Sequence, residues 1–501
     1  MYDLWVKNAT IVTLDTPGSI HYNGCLGTRA DRIAYIGPAP RRPVRAKTVM
    51  DANENYVLPG LINSHTHAAM VYFRGFADDL PLKEWLEKHI WPLEARAVNP
   101  EMVRDAVPLA AAEMIAGGTT SFVDMYFFQD HAAEVLKEIG IRAFLSESVI
   151  DYPTPAVKTP KQGLALAAKF IEKWRGDSLI HPIVAPHAPY SCSDDLLREC
   201  RKQADAYRVP MTTHLAEEMW EHDHFVRYKG KTSVRHLADL GFWGPGVSAA
   251  HANWLDDDDI RILKSSGAGV AHNPRSNLKL ATGFCRLPDL LVAGVPVGLG
   301  PDGAASNNEL DMFGEFRAAA LLHKGLRKDP TALPAETALR LATNGGARIL
   351  SLYATGDERL LKGGHNFLPP GGGGAGGGHA ISPSPTGGRG DAKRHPKSLE
   401  GPRSSGEGGI SNPAFDSSEL GSLEVGKKAD FIIVNQHAPH LQPAYHPYSA
   451  LVYSAKSSDV LTTVVNGRVL YHDRLFKTLD IEKVLRAARR FSSSLTHPEK
   501  K

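Results

Sequence analysis

From Pro59 onward the chain alternates strand-like runs with helical ones, and this repeat constrains the fold more than any other feature. The strand-like runs are the one leading into His65, then 119–125, 142–148, 179–187, 210–215, 247–254, 269–273 and 296–300. Helical stretches separate them, including 81–89, 100–116, 130–139, 161–174, 193–206 and 256–265, several of which stop at glycine. Parallel strands cannot be joined by tight turns, so each needs a crossover, usually a helix. Eight strand–helix units predict an α/β fold of the (β/α)8 barrel type over 59–355, closed by helices near 309–325 and 335–350.

The rest of the chain divides around that barrel. Residues 1–58 read as short strands at 3–8, 10–14 and 32–36 punctuated by turns, strand-like sequence returns at 431–434 and 460–465, and a terminal helix is expected near 481–491. The expectation is one composite β-sandwich made from 1–58 and 420–480, with 481–501 a terminal helix and polar tail. Residues 356–419 lose all periodicity and are rich in Gly, Pro and Ser, a composition that buries too little apolar surface to offset its ordering entropy. This segment is expected to be a disordered insertion.

A hydrophobic fraction of 42% suits a globular chain with a sizeable core, and a formal charge of +2 gives no field for nucleic acid. No apolar run approaches the ~20 residues that span a bilayer, and the N-terminus lacks a basic-then-apolar leader. A cytoplasmic protein with no membrane partner is expected. The cysteines Cys25, Cys192, Cys200 and Cys285 show no Cys-x-x-Cys spacing, so they read as buried thiols.

In such barrels the chemistry sits where strands end at the C-terminal face. Those ends carry His65 and His67 on the first strand, His187 on the fourth, His214 on the fifth, His251 on the sixth and Asp302 on the eighth. Side chains alternate along a strand, so His65 and His67 face one side together. His65, His67, His214 and Asp302 are the inferred ligands of one divalent metal with a position open for water. Three imidazoles and a carboxylate suit Zn, while Fe(II) and Mn(II) accept the same donors. Glu217, three residues past His214, can reach the same pocket and pass a proton to a ring nitrogen. Asp302 can accept a proton from the nucleophilic water, and His251 can hold that water in line.

The stretches 58–67, 118–126, 186–190, 272–280 and 300–307 together resemble the amidohydrolase superfamily, and within it the deaminases of 5-methylthioadenosine and S-adenosylhomocysteine. The likeness covers nearly the whole chain except 356–419, and resumes at 421–430. It implies that Glu94 binds ribose hydroxyls, that His187 contacts substrate, that Glu217 and Asp302 sit on the purine edge, and that the protein forms homo-oligomers. Binuclear relatives bridge two metals through a lysine at the end of the fourth strand. Here that end is Val184-Ala185-Pro186-His187, which favours a single metal. There are three departures. Ser146-Glu147-Ser148 stands where the family often carries an arginine after the third strand, Pro301 stands where a threonine commonly precedes the metal aspartate, and the insertion has no counterpart.

The expected activity is metal-dependent hydrolytic deamination of an adenosine-type nucleoside, a small-molecule substrate. Two alternatives remain open at this stage: a deaminase or dechlorinase of a free base or triazine on the same metal site, and a non-catalytic barrel used as a scaffold.

Overall fold

A computed structural model of the chain describes residues 1–16, 18–350 and 416–496. The barrel strands are Leu61–Thr66, Thr119–Tyr126, Arg142–Val149, a fourth in two pieces (Ile180–Pro182 and Ala185–Pro186), Met211–Leu215, Val247–His251, Gly269–His272 and Val297–Leu299. All neighbouring pairs are parallel. Every residue of Leu61–Thr66, Thr119–Tyr126 and Arg142–Val149 is buried, because barrel strands are covered by helices outside and by packed side chains inside.

The two halves of the barrel join at two seams. Between the fourth and fifth strands the Thr212 amide donates to Val184 O at 3.0 Å and the His214 amide to His187 O at 3.0 Å. Between the eighth and the first, the Asp302 amide donates to His65 O at 3.1 Å. Gly300 makes that second seam possible, since a Cβ there would stand 2.6 Å from the His65 nitrogen.

The two chain ends meet in one sheet of nine strands, where Phe431–Val434 pairs antiparallel with Tyr56–Pro59. Its own core draws on both ends, with Leu4, Val6, Leu26 and Val57 packed among Phe431, Ile433 and Val464. A buried ion pair ties this unit to the barrel. Arg142, at the start of the third barrel strand, has a fully buried side chain and meets Asp430 at 3.0 Å. Its guanidinium also donates to Ser178 O and to Asn466 Oδ1. Removing one partner of a buried pair leaves the other charge uncompensated, so Asp430→Ala should cost about 3–5 kcal/mol of stability in denaturant titration.

Four expectations need correction. Residues 356–415 of the expected insertion lie outside the described residues, but 416–419 carry a short 3-10 turn, Ser417–Glu419, whose Ser417 hydroxyl donates to Ala347 O. The helix expected over 81–89 continues to Ala97, through a π turn at Trp85–Ile90 that accommodates Pro92, a residue with no amide to donate. The terminal helix runs Ile481–Thr496, past the expected end near 491, and lays Phe491 against Tyr72, with ring centroids 4.6 Å apart. Two end strands, Ile20–Arg29 and Ala46–Asp51, stand where no strand was expected. Among the described residues, no helix is long and apolar enough to cross a membrane, and all four cysteines are buried free thiols.

Candidate metal centre and cavity

At the C-terminal mouth of the barrel is a cavity of about 850 Å³. His67, Glu94, His187, His214, Glu217, His251 and Asp302 all line it, and His65 lies fully buried beneath them. All eight side chains singled out from the sequence are therefore brought to one place.

Four of them converge closely. Asp302 Oδ1 is 3.4 Å from His65 Nε2 and 3.4 Å from His67 Nε2, while His67 Nε2 and His214 Nε2 stand 3.2 Å apart. The ring tautomers follow from their other contacts. His67 Nδ1 lies 2.7 Å from Met125 O and His214 Nδ1 lies 2.7 Å from His187 O. A carbonyl only accepts, so both Nδ1 atoms carry hydrogen and both Nε2 atoms turn bare lone pairs toward each other. Such an arrangement is repulsive unless a cation lies between them. Neither ring nitrogen of His65 makes a hydrogen bond, although both are buried. Ligands about 2.0–2.2 Å from a tetrahedral ion sit roughly 3.3–3.5 Å from one another. The donor types suit a divalent metal, three of their separations match that spacing, and the converging atoms fall into two overlapping groups, His65–His67–Asp302 and His65–His214–His251. Burial pushes His65 down to about 4, which keeps it neutral, the form in which imidazole ligates.

The carboxylate is fixed from behind. Ser276 and Ser306 each donate to Asp302 Oδ2 at 2.7 Å, leaving Oδ1 for the histidines. Asp302 itself has a left-handed backbone, φ 66°. Asp124 accepts from the Ala68 amide at 2.8 Å and from Gln129 Nε2 at 2.9 Å, anchoring the turn that follows His67.

Glu217 is buried in the wall, with Oε2 3.8 Å from His251 Nε2. Burial raises its carboxyl well above the ordinary value, and the neighbouring charges of Asp302 and Glu218 act in the same direction, which favours its protonated form. Glu94 is also buried, and the Tyr126 hydroxyl donates to its Oε1 at 2.7 Å. Burial pushes Glu94 up to about 7 against the opposing effect of that hydrogen bond. Glu147, which stands where an arginine was expected, serves the fold. It accepts from the Phe128 and Gln129 amides at 3.1 and 2.7 Å and so caps the helix Gln129–Ile139. Its neighbour Ser148 lines the cavity instead.

Sequence reasoning gave no role to Tyr126, Ser276, Ser306, Asp124, Asn253 or Asn277. Five of these lie in the motif stretches that carried the resemblance, but their partners become visible only once the barrel closes.

Fold and donor set together define a barrel hydrolase with a site for a divalent metal. A family model described as the amidohydrolase family matches residues 56–356 and 414–470. The chain belongs to that family. It is 40% identical over 489 residues to a 5-methylthioadenosine/S-adenosylhomocysteine deaminase of Syntrophobacter fumaroxidans, covering 97% of each chain. It is 38% identical to a 5'-deoxyadenosine deaminase of Methanosarcina acetivorans, covering 99% of each. Among solved structures, an adenosine deaminase from Xanthomonas campestris with bound zinc superposes with a TM-score of 0.84 at 32% identity, over 99% of each chain.

Proposed function

We propose that this protein hydrolytically deaminates adenosine-type nucleosides, replacing the exocyclic amine of the purine with oxygen from water and releasing ammonia. The carrying observation is the cluster of His65, His67, His214 and Asp302, in which Asp302 lies 3.4 Å from His65 and from His67, and His67 lies 3.2 Å from His214, beside the buried Glu217, whose carboxyl burial pushes well above its ordinary value. Similarity to deaminases over nearly the full length supports the same reading.

His65, His67, His214 and Asp302 would hold the metal, and Zn suits this neutral-imidazole set best. A divalent cation at that point supplies Lewis acidity that brings the pKa of water toward ~7. The chain's own groups do the rest. Glu217 donates its proton to the purine ring nitrogen as the adjacent carbon is attacked. His251 Nε2 accepts a hydrogen bond from the attacking water and keeps it in line, and Asp302 Oδ1 receives the water's proton. The Glu94 and Tyr126 pair, on the cavity wall beside His67, binds the ribose hydroxyls.

Purified protein supplied with Zn should release ammonia from adenosine-type nucleosides as their ultraviolet absorbance shifts to that of the inosine-type product. If none of adenosine, 5'-deoxyadenosine, 5-methylthioadenosine or S-adenosylhomocysteine is turned over, the reading fails. Glu94→Ala should lower nucleoside kcat/KM by about 10- to 100-fold, the value of one charged hydrogen bond, and leave any turnover of free adenine unchanged.

A further inference from the structure

The segment after the sixth barrel strand is strained: His251 and Ala252 both have left-handed backbones, φ 72° and 49°. Neighbouring contacts hold it there. The Ala252 amide donates to Leu215 O at 2.9 Å, the Asn253 amide to Ala216 O at 3.0 Å, and the His251 amide to Asn273 Oδ1 at 3.2 Å. This places the Asn253 side chain under Glu217, where its Nδ2 lies 2.8 Å from Glu217 O and 3.3 Å from Thr282 Oγ1. From the other side the Glu221 carboxylate accepts from the Ala216 and Glu217 amides at 2.9 and 3.2 Å.

A relay of fixed polarity starts at that carbonyl. Glu217 O can only accept, so Asn253 must turn its amide nitrogen toward it and its Oδ1 away. Asn253 Oδ1 then accepts from Asn277 Nδ2 at 2.7 Å, which turns Asn277 Oδ1 toward His251 Nδ1 at 2.9 Å. Each link is buried, so no bulk water is at hand to reverse it.

We propose that Asn253 and Asn277 are positioning residues, through which the backbone carbonyl of Glu217 holds a ring proton of His251 on Nδ1 and so turns Nε2 toward the cavity. The same relay ties the position of Glu217 to the ring orientation of His251, two groups whose side-chain atoms stand 3.8 Å apart in the cavity. The importance of this to catalysis rests on the deaminase reading, but the proton position does not depend on it.

Neutron diffraction from metal-loaded crystals tests it directly. The expected map has deuterium on His251 Nδ1 and the Asn277 amide nitrogen facing Asn253. Deuterium on Nε2 alone, or an Asn277 amide nitrogen facing His251, overturns the proposal whatever the activity. Kinetics supply the second arm. Asn277→Leu removes the acceptor and should lower kcat by about tenfold or more, with KM and metal content within roughly twofold of the wild type. Asn277→Asp keeps the acceptor for His251 Nδ1 while losing the donor to Asn253 Oδ1, so kcat should fall less than in Asn277→Leu. A purely structural role predicts the reverse order, because a buried carboxylate disturbs packing more than leucine does. Asn277→Leu with an unchanged kcat, or Asn277→Asp as impaired as Asn277→Leu, would refute the relay.

Discussion

Glu217→Gln is expected to retain its metal and lose turnover, with kcat falling by about 10²–10⁴-fold, the usual value of a positioned proton donor. Gln keeps the shape of the side chain, so neither the Glu221 contacts to the backbone nor the Asn253 contact to Glu217 O should change, since none uses the Glu217 carboxyl. Only the transferable proton is lost. In the wild type, burial and the adjacent Asp302 and Glu218 raise the Glu217 carboxyl and so favour its protonated form. An amide at the same place can still donate a hydrogen bond but cannot complete a proton transfer, so KM should move little. Metal analysis and steady-state kinetics on one preparation separate the outcomes. A variant with full metal and full kcat would mean that the proton comes from elsewhere, while one that loses metal would mean that Glu217 supports the ligand shell.

The barrel was legible from the sequence for a physical reason. Strands such as Thr119–Tyr126 are buried on both faces and stand between helices with clear stops, such as Gly140. The histidines were legible because a barrel places strand ends on one face, so His65, His187, His214 and His251 could be assembled before any distance was known. The supporting shell was not. Ser276 and Ser306 reach Asp302, and Tyr126 reaches Glu94, across separations set by how the barrel closes. Pattern fails for another reason in Ile20–Arg29, where Asn23, Gly24 and Gly27 break the alternation that would mark a strand. It forms by pairing with Tyr2–Val12 and Arg32–Pro38, so long-range partners override weak local preference. Glu147 was ambiguous for the same reason, since whether it faced the cavity or capped a helix depended on the neighbouring strand.

His65→Ala is expected to abolish stable metal binding and activity together. His65 is the deepest of the donors, fully buried, and neither ring nitrogen has a hydrogen-bond partner. A buried imidazole with both nitrogens idle costs the fold stability, and a cation on Nε2 offsets that cost. Outer partners of a ligand are worth about 10- to 100-fold in metal affinity, so loss of the ligand itself should exceed that. The thermal readout follows from linkage. A metal that binds only the folded chain raises stability by about 2.7 kcal/mol at 100 times its Kd, so wild-type protein should melt higher with Zn than after chelation. In His65→Ala that difference should vanish while the metal-free protein still melts cooperatively, which separates a lost ligand from a lost fold. One metal per chain with an undiminished Zn-dependent shift in Tm would show that the centre does not need His65. That result would count against both converging donor groups, His65–His67–Asp302 and His65–His214–His251, since His65 belongs to each.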